Sequence, residues 1–447
     1  MGCCYKSAGK ATSFSFRQGV DDLTLIAVLY LVENAIKTMP AYSSAQTTES
    51  QRLTSLDALR GFDMFWILGA DSFVYALHEM SDNPVTGFFA AQLDHAEWQG
   101  FHFYDLIFPL FVFIMGVSTV FSLTKIIERE GRGAAVKRVL MRGILLFIIA
   151  LIYSGGFTNP WPDMRLMGVL NRIALAYTFG GLLFIFCNVR VLVGVAIALL
   201  VGYWALLQFV PFPDVHPIPG DTGPISRVTG YTNVLQLNMS STNMIRGSYV
   251  QGVNLTDYID QKYLPGRKYD GTYDPEGFLS TLGAFATGLL GIFAGLFIRN
   301  KSIPDTKKVL WLLGAGAASA TLGWIWGIEM PVIKKIWTSS YVLVAGGYSA
   351  MLLAVFYWIV DVKKKTTWCQ PFVWIGMNPI TLYLTSNFLG GLGFERLARR
   401  VAGGPVEAFF NAHVAKGFGE LVISAVGVGL FLWFAHFLYR RKIFLRL

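Results

Sequence analysis

The stretch FYDLIFPLFVFIMGVSTVFSL, Phe103 to Leu123, decides the fold. Apart from Asp105 near its start it is apolar, small or hydroxyl-bearing for about 20 residues, the length that crosses a bilayer as a helix. It is too long and continuous for a barrel strand, and lipid admits only helices and closed barrels. Just before it stands Asp94-His95-Ala96-Glu97-Trp98-Gln99-Gly100. A titratable imidazole therefore sits at the mouth of a span, with a carboxylate ten residues further on. Ionisable groups at a membrane edge are costly and are functional candidates by default. Histidine suits proton or acyl transfer near neutral pH. The plainer reading is a loop histidine that faces water.

Composition agrees with a membrane chain. Of 447 residues, 54% are apolar and only 15% charged, with mean hydropathy +0.49. A soluble domain carries about 25% charged residues. The net charge of +9 comes from basic residues beside apolar runs, as topology signals do. No nucleic-acid-binding motif accompanies it, so nucleic acid is not an expected partner. Cys3, Cys4, Cys187 and Cys369 form no metal-ligand spacing or disulfide framework, and no metal is expected. Lys6 stands where a myristoylation signal wants Ser or Thr.

Residues 1–51 read as an N-terminal extension. Leu23 to Val32 is apolar but short, and Tyr42 to Gln51 is linker-like. From residue 52 to 447 the chain reads as one membrane domain, an all-α helical bundle of about ten spans. The apolar runs are Phe62–Leu77, Phe103–Leu123, Gly143–Phe157, Leu166–Cys187, Val191–Val210, Phe278–Ile298, Val309–Ile328, Ser340–Val360, Phe372–Gly390 and Phe418–Leu438. Lys and Arg cluster after the second run (Lys125 to Arg142), after the sixth (Arg299 to Lys308), after the eighth (Lys363 to Lys365) and in the tail. Those segments share one face if each run crosses once. The positive-inside rule puts that face, and both ends of the bundle, in the cytoplasm. His95 then faces outward, as does a long Gly-, Pro-, Asn- and Tyr-rich loop at about 211–276.

Several polar residues fall where lipid should be. Asp63 and Asp71 lie eight apart in the first run, close to one helical face. Asp105 opens the second. Arg165 and Arg172 lie seven apart at the fourth, and Arg172 is the only Lys or Arg inside a span. It reads either as an ion pair that orients helices or as a contact for an anionic ligand. Asp274-Pro275-Glu276-Gly277 precedes the sixth run, Lys334 to Tyr341 precedes the eighth, and Asn378 precedes Pro379 within the ninth. The first reads as a turn, the lysines as a solvated rim or an anion contact, and Asn378 as a cap on a broken helical ladder.

Together these residues resemble the heparan-α-glucosaminide N-acetyltransferase family. The matching motifs are Ser55 to Gly61, His95 to Gly100 with Asp105 to Pro109 and Phe111 to Gly116, Gly168 to Arg172, Tyr273 to Gly277, Trp337 to Tyr341, Met377-Asn378, and Tyr439 to Phe444. They run in order from about Arg52 to the C-terminus. The resemblance implies a shorter, prokaryote-like member that moves an acetyl group from cytosolic acetyl-CoA to an amino sugar of an extracytoplasmic glycan. It assigns the catalytic histidine to His95 and an accompanying aspartate to Asp105. Asp71 falls where the family has a catalytic asparagine, and Asn171 where it has a glutamine, so the role at Asp71 departs from the pattern. A carboxylate accepts a proton, whereas an amide only hydrogen-bonds.

The expected site is then catalytic His95, Asp71 and Asp105. Arg172, Arg165, Asn171 and Asn378 are expected on acetyl-CoA, and Asp274, Glu276, Lys334, Trp337 and Tyr341 on the acceptor. Expected partners are acetyl-CoA as co-substrate, the glycan, and the lipid bilayer, with a homodimer allowed. The expected place is a bacterial inner membrane with His95 toward the periplasm. Alternative readings are a carrier of glycans or small anions that uses the same buried charges, and an O-acyltransferase of similar build.

Overall fold

The computed structural model describes residues 53–445 apart from 82, 159, 215–241, 272 and 389–392. The segments Leu23–Val32 and Tyr42–Gln51, the proposed N-terminal extension as a whole and the middle of the long outward loop lie outside the described residues. Fifteen helices carry the described chain: α1 Thr54–Phe65, α2 Asp71–Met80, α3 Pro84–Gln92, α4 Phe103–Tyr153, α5 Val169–Phe186, α6 Val189–Phe209, α7 Leu255–Tyr263, α8 Ser280–Arg299, α9 Asp305–Trp326, α10 Ser339–Phe356, α11 Gln370–Gly376, α12 Pro379–Phe388, α13 Gly393–Ala402, α14 Pro405–His413 and α15 Phe418–Arg440. Two antiparallel two-stranded ribbons, Phe212–Pro213 with Met244–Ile245 and Tyr249–Val250 with Val253–Asn254, decorate the long loop.

Seven described helices are long and apolar enough to cross a membrane: α4, α5, α6, α8, α9, α15, and α10 with its π-helical extension to Val362. The protein is a polytopic helical membrane protein. The second and third apolar runs are two limbs of α4, which breaks at Gly131 (φ 86°, ψ 174°). Only glycine takes that backbone readily, and it lies among the basic residues between the runs. The first and ninth runs are interrupted helices, which is why neither is among the seven. A π turn at Trp66–Ala70, with Gly69 at φ 105°, separates α1 from α2. Asp63 and Asp71 therefore do not share the face that an unbroken helix would give them. Arg165 likewise lies before α5 rather than on it.

The helices meet through small residues, as membrane bundles do when no hydrophobic drive separates protein from lipid. A Cβ on Gly116 of α4 would stand 2.2 Å from the Gly288 carbonyl oxygen of α8. Around these contacts lies a core of Leu59, Leu110, Phe113, Val117, Val344 and Ala345. Apolar side chains stay exposed on α6 and α9, among them Ile197, Phe209, Leu310 and Trp311. Such faces suit contact with lipid tails.

Candidate active site

The loop after α3 and the first turn of α4 build the centre of the site. Asp105 is the third residue of α4. Its Oδ2 accepts the backbone N–H of His102, the N-cap, at 3.0 Å and that of Ala96 at 3.2 Å. A carboxylate at this position satisfies donors that a helix start leaves unpaired. The other oxygen, Oδ1, lies 2.9 Å from His95 Nδ1. A carboxylate only accepts, so Nδ1 carries the hydrogen and Nε2 presents its lone pair. Asp105 is 1% exposed at its side chain and His95 48%, so the imidazole has a buried anchor and an open working edge. Tyr341 Oη donates to the Asp105 carbonyl at 2.7 Å and fixes the same turn to α10.

Lys334 completes the cluster. Its Nζ is 3.4 Å from Asp105 Oδ1, 2.9 Å from His95 Nδ1 and 3.1 Å from Nε2. Near-equal distances to both ring nitrogens put the ammonium over the ring face, because an in-plane position would collide with Cε1. Burial pulls the Lys334 ammonium below its ordinary value, against the opposing pull of Asp105. Tyr104 approaches His95 from another side, with ring centroids 4.9 Å apart. Asp71 hydrogen-bonds Tyr104, so it reaches the imidazole through the phenol rather than directly.

These groups line a cavity of about 690 Å³, a size suited to a small organic ligand. Its mouth carries His95, Glu97, Arg165, Asp270, Glu276, Lys334 and Lys335, and its depth is apolar, with Met64, Ile67, Phe108 and Trp337. A second cavity of about 200 Å³ lies further along α4, toward the basic break. Arg60, Ser118, Thr119, Ser122 and Arg142 line it. Arg142 lies 4.9 Å from the Tyr177 ring, and its Nε has no hydrogen-bond partner among the described residues.

The two arginines expected on a cofactor both hold the segment before α8, and Arg165 lines the larger cavity as well. Arg165 grips Asp274 through two bonds of 2.8 Å and Glu276 at 2.6 Å. Arg172, fully buried, donates to the Pro275 carbonyl and to Ser280, and lies 4.8 Å from the Trp337 ring. They clamp the Tyr273–Gly277 segment over the bundle, and Asp274 belongs to the clamp. Glu276 and Trp337 reach the larger cavity as well. Trp337 holds φ 50°, an unusual backbone for a bulky residue, beneath that clamp. Asn171 is buried beside Phe147, and Asn378 is buried with its amide unpaired among the described residues; neither lines either of these two cavities.

Two stability results follow. Arg172→Ala strands the Pro275 carbonyl and should cost about 1–3 kcal/mol beyond lost packing on Trp337, read as a lower melting temperature in detergent. An unchanged melt would show that the clamp is slack. Asp260 accepts the Phe278 N–H at 2.9 Å, and burial pushes its carboxyl up to about 7. A raised folded value means that the retained proton stabilises the fold below about pH 4, the unfolded range. That contribution is lost as pH rises toward about 7. Asp260→Asn should flatten the fall in stability over this window, measured by melts from pH 4 to 8.

Tyr104, Glu97, Asp270, Arg60 and Arg142 were not among the residues expected from sequence. Tyr104 adjoins Asp105, but its neighbours come from α2, across the Gly69 break. Arg60 sits within a quoted motif, and Arg142 was counted as a topology charge.

A family model described as "Heparan-alpha-glucosaminide N-acetyltransferase, catalytic" matches residues 52–234. The human heparan-α-glucosaminide N-acetyltransferase is 27% identical over 393 residues, covering 78% of this chain and 55% of the relative. The mouse protein of the same name is 26% identical over 390 residues, covering 78% and 56%. The chain thus spans about half the length of the curated relatives it matches. The matched stretch holds His95, Asp105, Tyr104, Arg60 and Arg142, and over most of its length the chain is similar to heparan-α-glucosaminide N-acetyltransferases.

Proposed function

We propose that this protein transfers an acetyl group from acetyl-CoA to the amine of an amino sugar carried by a glycan on the opposite side of the membrane. One observation carries the reading. A cavity with a polar mouth, an apolar depth and an anchored imidazole meets a smaller arginine-lined cavity toward the basic end at a shared apolar wall. The larger cavity takes the sugar. Arg60 and Arg142, with the hydroxyls around them, fit the anionic and amide-bearing donor, which arrives from the basic face. Asn378 adds an amide near the wall. The family names supply the acetyl group and the glucosaminide class.

In this reading His95 Nε2 takes a proton from the acceptor amine as the nitrogen attacks the thioester carbonyl. The carbon–sulfur bond then breaks and CoA leaves as the thiol. In the double-displacement form Nε2 itself attacks first, and the acetyl group rests on the imidazole before the amine accepts it. Asp105 holds the tautomer and stabilises the imidazolium. The Lys334 ammonium stands where it can meet the negative charge that grows on the carbonyl oxygen. Glu97, Asp270, Glu276 and Lys335 border the sugar. In the cell the basic face lies in the cytoplasm and His95 faces outward.

Purified protein in vesicles, given radiolabelled acetyl-CoA and a panel of amino sugars, should acetylate at least one of them. Transfer to hydroxyl sugars alone would favour the O-acyl reading, and sugar uptake without thioester consumption would favour a carrier. Label trapped on the protein in the absence of acceptor would select double displacement. Sidedness is tested separately. Single cysteines at Asp94 and Lys364 should react with an impermeant thiol reagent from opposite sides, and reaction from one side would overturn transfer across the membrane.

A further inference from the structure

The wall between the two cavities is formed by side chains that both share: Phe111, Leu170, Ile173, Pro379 and Ile380. Broken helices flank it. α1 gives Arg60 to the smaller cavity and Met64 to the larger, and the π turn that follows adds Ile67 to the larger before the backbone departs from helical geometry at Gly69. α11 ends and α12 begins around Asn378, next to wall residues Pro379 and Ile380. Asp63 lies on α1 between Arg60 and Ile67, about one turn from each. It is fully buried, and neither carboxyl oxygen has a hydrogen-bond partner among the described residues. Asn378 is in the same condition, 2% exposed with both Nδ2 and Oδ1 unpaired.

Buried polar atoms without partners are rare and costly, and each calls for a reason. Neither residue serves the clamp or the imidazole. Asn378 adjoins the wall residue Pro379, Asp63 adjoins the cavity-lining Met64, and each stands within a few residues of a helix break, where regular helical hydrogen bonding is already interrupted. We infer that Asp63 and Asn378 form a binding site for the amide groups of the donor's pantetheine arm, reached when the wall parts to join the cavities. The chemistry matches. The arm is an aliphatic chain interrupted by amides. Its methylenes suit the apolar wall, a carboxyl oxygen accepts an amide N–H, and a carboxamide pairs with N–H and C=O alike. The inference rests on the donor proposed above.

The test uses the full chain and the variants Asp63→Leu, Asp63→Asn and Asn378→Leu. Three quantities are read: the ligand-free melting temperature, the calorimetric affinity for pantetheine, and KM for acetyl-CoA, S-acetylpantetheine and the amide-free S-ethyl thioacetate. Asp63→Leu removes an unpaired group, so it should melt no lower than the wild type. Its pantetheine affinity should fall about tenfold or more, the scale of one lost hydrogen bond to a charged or buried group. KM for the two amide-bearing donors should rise by the same factor, and KM for S-ethyl thioacetate should not change. Asn378→Leu should behave alike, and Asp63→Asn should keep most of the affinity. Unchanged pantetheine binding in both leucine variants overturns the inference. So does failure of Asp63→Leu to fold, or an equal loss on all three donors, because each marks a packing role. Absence of transfer by the wild type from every donor would instead sink the enzymatic reading, whereas pantetheine binding is measured without transfer.

Discussion

Asp105→Asn is expected to lower acetyl transfer by about 10³- to 10⁴-fold, the scale seen when a histidine is held in the wrong tautomer. Both backbone donors of the loop, from Ala96 and His102, converge on the same oxygen, Oδ2. An asparagine must keep its single carbonyl oxygen there to satisfy them. Its NH₂ then occupies the Oδ1 position, 2.9 Å from His95 Nδ1. Two donors cannot face each other, so Nδ1 gives up its hydrogen and Nε2 takes it. The lone pair that a base or nucleophile needs is gone, while the helix start stays capped. The variant should therefore melt near the wild-type temperature and bind CoA normally. Turnover within a few fold of the wild type would show that Asp105 serves the fold alone.

His95→Ala should cost at least about 100-fold in transfer to any acceptor, the usual range for a positioned acid–base group. The side chain is half exposed to the cavity, and its removal unpairs only one Asp105 oxygen, which Lys334 still approaches at 3.4 Å. Folded yield should therefore persist, and so should donor binding, because Arg60 and Arg142 lie in the other cavity. His102→Ala is the control. That side chain hydrogen-bonds the Asp94 carbonyl, while the capping contact to the Asp105 carboxylate comes from its backbone. Near-normal turnover in His95→Ala with loss in His102→Ala would reverse the assignment. Trapped acetyl label on the wild type but not on His95→Ala would place the acetyl group on the imidazole.

The part of this site that could be read in the sequence is the part built from neighbours in the chain. His95 and Asp105 stand ten residues apart across one loop, and the apolar run after them announces where the loop ends. The membrane class was equally legible, because long apolar runs leave few alternatives in lipid. The rest depended on helix breaks. Asp71 was placed on the face of Asp63 by a periodicity that Gly69 interrupts. The charge of Arg165 and Arg172 is visible in sequence, and so is the choice between an ion pair and an anion contact, but their partners, more than a hundred residues away, are not. Lys334 and Tyr341, expected on the acceptor, also contact His95 and Asp105, which sequence spacing does not reveal. Arg60 and Arg142 come from helices joined only in the fold.

The shared wall also has an electrical consequence. With the bundle across a bilayer, the two cavities would lie on either side of an apolar layer that, among the described residues, Phe111, Leu170, Ile173, Pro379 and Ile380 line from both sides. Most of the membrane voltage then falls over those few side chains instead of over the full bilayer thickness. Moving one elementary charge through 100 mV is worth about 2.3 kcal/mol, so a charge carried across that layer would feel a steeper field than one crossing the bilayer elsewhere. A charged or small replacement there, such as Ile173→Gly, would make the protein a leak before it made it a poor catalyst.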